Sequence, residues 1–166
     1  MELSINPNPS YLEAAIVGDR CQAEEKVLED AIGFSPADIC LEGIKTSAYV
    51  GTINTDDGEP IALVGIVDHA VEEGTGVLWS MSTNEVKKCP IAFIKVMRKL
   101  MDEYGGLYDK LITLALADNP QHLRFPVALG MTPSGQVVSV PETSISYNVY
   151  EMVTTKGLNK IYYEQS

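Results

Sequence analysis

The stretch Val77-Leu78-Trp79-Ser80-Met81, Ser82-Thr83-Asn84-Glu85-Val86-Lys87-Lys88-Cys89, and then Pro90 to Tyr104 carries the decisive pattern of this chain. Its first five residues are β-branched, aromatic or apolar and follow Gly74-Thr75-Gly76, as a strand does. Ser82 to Lys88 is polar and reads as a loop. From Pro90, Ile94, Met97, Leu100, Met101 and Tyr104 recur at helical spacing, with Lys95, Arg98, Lys99 and Asp102 opposite them. Gly105-Gly106 stops that helix, and Leu111 to Ala117 follows as an apolar run, expected to be a strand covered on both faces. Strand, loop, helix and buried strand in this order predict a mixed sheet with a crossover helix.

Outward toward the N-terminus, Ala48 to Asn54 and Pro60 to Val67 read as strands joined at the turn signal Asp57-Gly58. Ser10 with Glu13 forms a capping-box pattern ahead of Leu12, Ala15 and Ile16. A second amphipathic helix places Ala23, Val27, Leu28 and Ala31 inward and Glu24, Glu25 and Glu29 outward, and Gly33 ends it. Ser35-Pro36 then opens a short helix to about Lys45. Residues 1–9, with two Asn-Pro steps, are expected to be an irregular lead-in. Toward the C-terminus come a short helix, Gly130, a late strand within Ser144 to Val153, and a mobile tail over 154–166. The fold class is α/β (α+β), a mixed, largely antiparallel sheet flanked by helices on both faces. The 166 residues predict one domain over 1–166.

The net charge of −11 is unevenly spread. Residues 1–86 hold 16 acids and three bases, whereas residues 87–166 hold nine bases and seven acids. An acidic surface repels phosphate, so no direct nucleic-acid binding is expected, and an anion site belongs in the second half. Cys21, Cys40 and Cys89 show no C-x-x-C spacing and read as small core-filling thiols in a reducing compartment. No signal peptide pattern opens the chain, and the longest apolar run, Ile61 to Val67, is too short for a bilayer. The expected location is the cytoplasm. Neither a nucleophile elbow, a nucleotide phosphate loop nor metal-ligand spacing is present, so no metal is expected.

The residues Gly58-Glu59-Pro60-Ile61-Ala62-Leu63-Val64-Gly65, then Leu78-Trp79-Ser80-Met81-Ser82-Thr83-Asn84, and finally Asn119, Arg124, Phe125, Leu129, Gly130 and Met131 share an order and spacing. Over roughly residues 45–133 the chain resembles the GCN5-related N-acetyltransferase (GNAT) fold, and within it the GNAT-like internal virion proteins of short-tailed phages. That resemblance implies a phage-encoded protein of virion morphogenesis or internal-core assembly with weak or absent catalysis. Its partners would be phage structural or assembly proteins or a host protein, in the host cytoplasm or the virion. It also implies, as the alternative, an acetyl-CoA-dependent N-acetyltransferase acting on an amine. In that case Trp79, Ser80 and Met81 pair with the pantetheine, Lys87 and Lys88 hold phosphates, and Asn119 orients the cofactor. Two departures stand out: the junction Ser82 to Pro90 lacks glycine, and Pro126 occupies the place of the family's proton-donating Tyr. Asp68, His69 and Glu72, with Glu73, are the acid–base candidates after the second strand. A third reading takes the acidic helices of residues 13–42 as a DNA mimic that inhibits a host protein.

Overall fold

The computed structural model describes residues 2–165. Seven strands form one mixed sheet: β1 (Leu3–Asn6), β2 (Tyr49–Thr55), β3 (Pro60–Asp68), β4 (Thr75–Ser82), β5 (Lys110–Leu116), β6 (Thr132–Ser139) and β7 (Ser146–Val153). Their order is β1-β2-β3-β4-β5-β7-β6. Six helices accompany them among the described residues: α1 (Tyr11–Asp19), α2 (Val27–Ile32), α3 (Pro36–Thr46), α4 (Pro90–Gly105), α5 (Pro120–Ala128) and α6 (Thr155–Gln165). The β4 and β5 strands are parallel, joined through α4, while β1, β2, β5, β6 and β7 pair antiparallel with their partners. The mixed, largely antiparallel α/β architecture expected from the sequence is therefore present. The chain divides into two compact units, Met1–Val67 with Trp79–Val96, and Asp68–Leu78 with Met97–Ser166.

In the first unit β1 lies antiparallel on β2, from Leu3↔Thr55 to Asn6↔Thr52. An irregular lead-in was expected there. The Asn-Pro steps interrupt the chain only from Asn6 onward, while Leu3-Ser4-Ile5 alternates apolar and polar as an edge strand does. Gly51 on β2 lets the strands close, because a Cβ there would meet the Ile5 side chain at 2.8 Å. The capping box at Ser10 and Glu13 starts α1, and Ser35 caps α3, as the sequence indicates. Helices α1 and α3 touch at Gly18, where a Cβ would meet Ala37 Cα at 2.6 Å. Beneath them, Ala14, Val17, Cys21, Cys40, Leu63 and Met81 form one buried cluster. Trp79 packs against it between Gly43 and Gly65, and its Nε1–H donates to Ser47 Oγ at 2.8 Å.

In the second unit the first half of β4 pairs with β5 from Thr75↔Lys110 to Leu78↔Thr113. Thr113 Oγ1 donates to the Leu78 carbonyl at 2.8 Å. Burial along β5 alternates, contrary to the two-sided cover expected of its apolar run. Leu111, Thr113 and Ala115 are buried, whereas Leu114 is 42% exposed. The edge strand β6 was not legible in the sequence. Thr-Pro-Ser-Gly reads as a turn, and the strand absorbs it as an irregularity between Pro133 and Val137, with Gly135 at φ 83°. The expected mobile tail is helix α6. Thr154 Oγ1 accepts the Gly157 N–H at 3.1 Å and bonds the Tyr108 carbonyl, so the helix begins on a fixed cap.

Candidate functional site

Two short segments meet at the end of β4 within the first unit. One is the β4–α4 junction. Thr83 Oγ1 accepts the Glu85 N–H at 3.3 Å, and Asn84–Lys88 makes a 3-10 turn. Helix α4 then starts at Pro90, which has no N–H to satisfy. Its backbone ladder begins with Phe93 N–H donating to the Cys89 carbonyl at 3.0 Å, so the N–H groups of Ile91 and Ala92 precede it. Those donors, with the positive end of the helix, form the usual seat for phosphate oxygens.

The two lysines expected to hold phosphates are on this turn, and each has a carboxylate partner. Lys88 Nζ lies 2.9 Å from Glu85 Oε1, which raises the lysine pKa, and Lys87 Nζ lies 3.6 Å from Glu24 Oε1. Both pairs are solvent-accessible, where an ion pair is weak and screened by salt. The residues therefore fit the diphosphate of coenzyme A without glycine, through two lysines and the first N–H groups of α4. Of the β4 residues assigned to the pantetheine, Met81 is 3% exposed and packs in the core cluster, and Trp79 is held by Ser47. Only the backbone of this strand is available to such a ligand, together with the partly exposed Ser80.

The second segment is Cys21–Glu25, which follows α1 and clips onto the end of β4. Cys21 bridges Thr83 antiparallel, and the Gln22 N–H donates to the Ser82 carbonyl at 3.0 Å. Gln22 Nε2 donates to Ser82 Oγ at 2.8 Å. The sequence reading placed Glu24 and Glu25 on the outer face of one α-helix. The structure corrects this, because Ala23–Lys26 winds as a 3-10 turn and only Val27–Ile32 is α-helical. With three residues per turn, positions 22 and 25 eclipse one another, so Gln22 and Glu25 both face Ser82. Burial pushes the Glu25 carboxyl up to about 7, reinforced by the neighbouring Glu24 charge and opposed by the Ser82 N–H. The Gln-x-x-Glu spacing is the one sequence trace of this arrangement.

The three thiols are buried and form no disulfide. Burial pushes Cys40 up to about 12 and raises Cys21 and Cys89, so none is poised as a nucleophile.

The acid–base candidates of the β3–β4 loop belong to the second unit and line a cavity of about 430 Å³ with Leu107 and Tyr108. Asp68, His69 and Glu72 are committed locally. The Tyr108 hydroxyl donates to Asp68 Oδ1 at 2.6 Å. His69 Nδ1 accepts the backbone N–H groups of Val71 at 3.1 Å and Glu72 at 2.8 Å. Lys110 lies 2.6 Å from Glu72 and holds that carboxyl below its ordinary range. Asn119, also in this unit, is the N-cap of α5: its Oδ1 accepts the N–H groups of Gln121 and His122 at 3.0 and 3.2 Å. The cap fixes the amide, leaving its NH₂ face as the donor for any ligand. Pro126 is buried inside α5 and supplies no proton. Among the described residues no group of three His, Cys, Asp or Glu could hold a metal ion, and no helix is long and apolar enough to cross a membrane.

No protein-family model matches the chain, and no curated protein matches it. Solved structures do. A chimera of the spermidine N-acetyltransferase SpeG from Vibrio cholerae and hSSAT superposes with a TM-score of 0.69 at 12% identity, covering 96% of this chain and 99% of its own. The GNAT-family acetyltransferase from Bacillus anthracis gives 0.65 at 8% identity, covering 92% and 95%. The chain has the GNAT fold. The microcin C7 self-immunity acetyltransferase MccE, solved with acetyl-CoA and AMP, gives 0.67 at 14% identity, covering 92% and 93%.

Proposed function

We propose that this GNAT-fold chain is an acetyl-CoA-dependent N-acetyltransferase acting on an amine. The observation that carries the reading is the β4–α4 junction. Lys87, Lys88 and the leading N–H groups of α4 lie together on a strand-to-helix turn of this fold. There they would bind the diphosphate of acetyl-CoA. The acetyl thioester supplies the activated acyl group when bound, and this chain's part is to hold it, to admit the amine and to take up its proton. The acidic balance of residues 1–86 favours a cationic amine over a neutral or anionic acceptor. The test is thiol release from acetyl-CoA across a panel of primary amines and polyamines. Amine-dependent release supports the reading, and release no faster than without protein removes it.

A second reading is a GNAT-fold assembly protein of a short-tailed phage, without catalysis. The pairing of Lys87 with Glu24 and of Lys88 with Glu85, and the Pro126 in α5, favour it. Its signature would be defective particles on deletion of the gene, with DNA replication intact.

A further inference from the structure

We propose that residues 22–34 form a strap across the coenzyme seat, released when acetyl-CoA takes Ser82 from Gln22 and Lys87 from Glu24. This rests on the acetyltransferase reading and adds a gate to that site.

The strap crosses the seat at two places. The first is the edge of β4 that faces away from β3. The Thr83 N–H donates to the Ile61 carbonyl of β3 at 2.9 Å. Backbone groups of successive residues point to opposite sides of a strand, so Ser80 and Ser82 present their N–H and C=O groups on the other edge. The ladder to β5 ends at Leu78↔Thr113. Beyond it, an arm with two amides, as in pantetheine, adds to the edge like a short strand, on residues two apart. At Ser82 that place is already filled. The Gln22 N–H donates to the Ser82 carbonyl at 3.0 Å, and Gln22 Nε2 donates to Ser82 Oγ at 2.8 Å. The second place is the phosphate seat, where Lys87 Nζ lies 3.6 Å from Glu24 Oε1. One segment thus stands in for both halves of the coenzyme, an amide on the strand edge and an anion on the lysine.

The segment is lightly held. Cys21 before it and Pro36 after it are buried, but no residue of the 3-10 turn Ala23–Lys26 or of α2 is. Val27 and Leu28 are half-buried, Ile32 is 55% exposed and Phe34 39%. Little apolar surface therefore anchors it, and its polar contacts each contribute little net stability because water replaces them. Glu24, Glu25, Glu29 and Asp30 outnumber Lys26, so a diphosphate arriving at Lys87 repels the strap as it takes the lysine.

Calorimetry with three probes tests this: acetyl-CoA, ADP (a diphosphate without the arm) and S-acetylpantetheine (the arm without phosphates). Gln22 has φ −62° and ψ 149°, a conformation proline adopts. Gln22→Pro removes the donor and puts a ring carbon in its place, which pushes the strap off Ser82. It is expected to bind acetyl-CoA and S-acetylpantetheine about tenfold more tightly than wild type, with ADP unchanged. Gln22→Ala keeps the backbone donor and is expected to gain about threefold on the same two probes. Glu24→Gln is expected to tighten acetyl-CoA and ADP about threefold and to leave S-acetylpantetheine unchanged. Amide exchange reads the strap itself: the Gln22 N–H is protected in the free chain and loses protection when acetyl-CoA saturates it. Protection that persists at saturation, or wild-type affinity in both Gln22 variants, overturns the strap and leaves the acetyltransferase reading standing. Acetyl-CoA binding to neither wild type nor Gln22→Pro overturns that reading, and the strap falls with it. Binding to Gln22→Pro alone supports both.

Discussion

Glu25→Gln has a consequence for stability that needs no ligand. A carboxyl raised from its ordinary value of 4.5 to about 7 is protonated in the folded chain and ionised in the unfolded chain between those values. Folding then takes up a proton, so wild-type stability falls as pH rises from about 4.5 to about 7 and is level above that. At about 1.4 kcal/mol per unit, the shift sets a ceiling of about 3.5 kcal/mol, and partial solvent access brings the expected effect to about 2 kcal/mol. Glutamine carries no such burden. Urea unfolding at about pH 5 and about pH 8 measures it. The stability of Glu25→Gln relative to wild type is expected to be about 2 kcal/mol more favourable at the higher pH, with equal m-values. Other carboxyls, such as Glu72 with its lowered pKa, cancel in this difference because both proteins carry them. Parallel pH profiles for the two proteins would refute the buried, proton-holding state of Glu25.

Other outcomes follow from individual contacts. Gly65→Ala drives a methyl to 2.6 Å from Trp79 Nε1 and is expected to cost about 1–3 kcal/mol, with a shift in the emission of the single tryptophan. Ser47→Ala leaves that indole N–H without its acceptor and should cost about 1–2 kcal/mol in urea unfolding. Asn119→Ala removes the α5 cap and about 1 kcal/mol of stability. Asn119→Asp keeps the cap acceptor, so the unfolding midpoint holds in urea unfolding. Replacing Lys87 and Lys88 with Ala is expected to weaken acetyl-CoA about tenfold, and unchanged affinity would move the phosphate seat elsewhere.

The core of the fold was legible because its signals are local. The period of Ile94, Met97, Leu100 and Met101, the Ser10 and Ser35 caps, and Gly33 with φ 73° each specify structure through near neighbours. The segments that escaped take their structure from partners distant in sequence. Edge strand β6 exists through its ladder with β7, and α6 begins on a cap that reaches the Tyr108 carbonyl. Trp79 sits in a slot made by Gly43, Gly65 and Ser47, which no local pattern connects. The charge and position of Lys87 and Lys88 are legible in the sequence, but their carboxylate partners include Glu24, contributed by a turn more than sixty residues upstream. An α-helical reading runs through Glu24 and Glu25, whereas the chain there winds with three residues per turn.

The central claim is that the β4–α4 junction of this GNAT fold seats acetyl-CoA. Calorimetric titration of the purified chain with acetyl-CoA tests it directly. One saturable site per chain, weakened when Lys87 and Lys88 are replaced, is the expected result, and no heat at millimolar acetyl-CoA would contradict it.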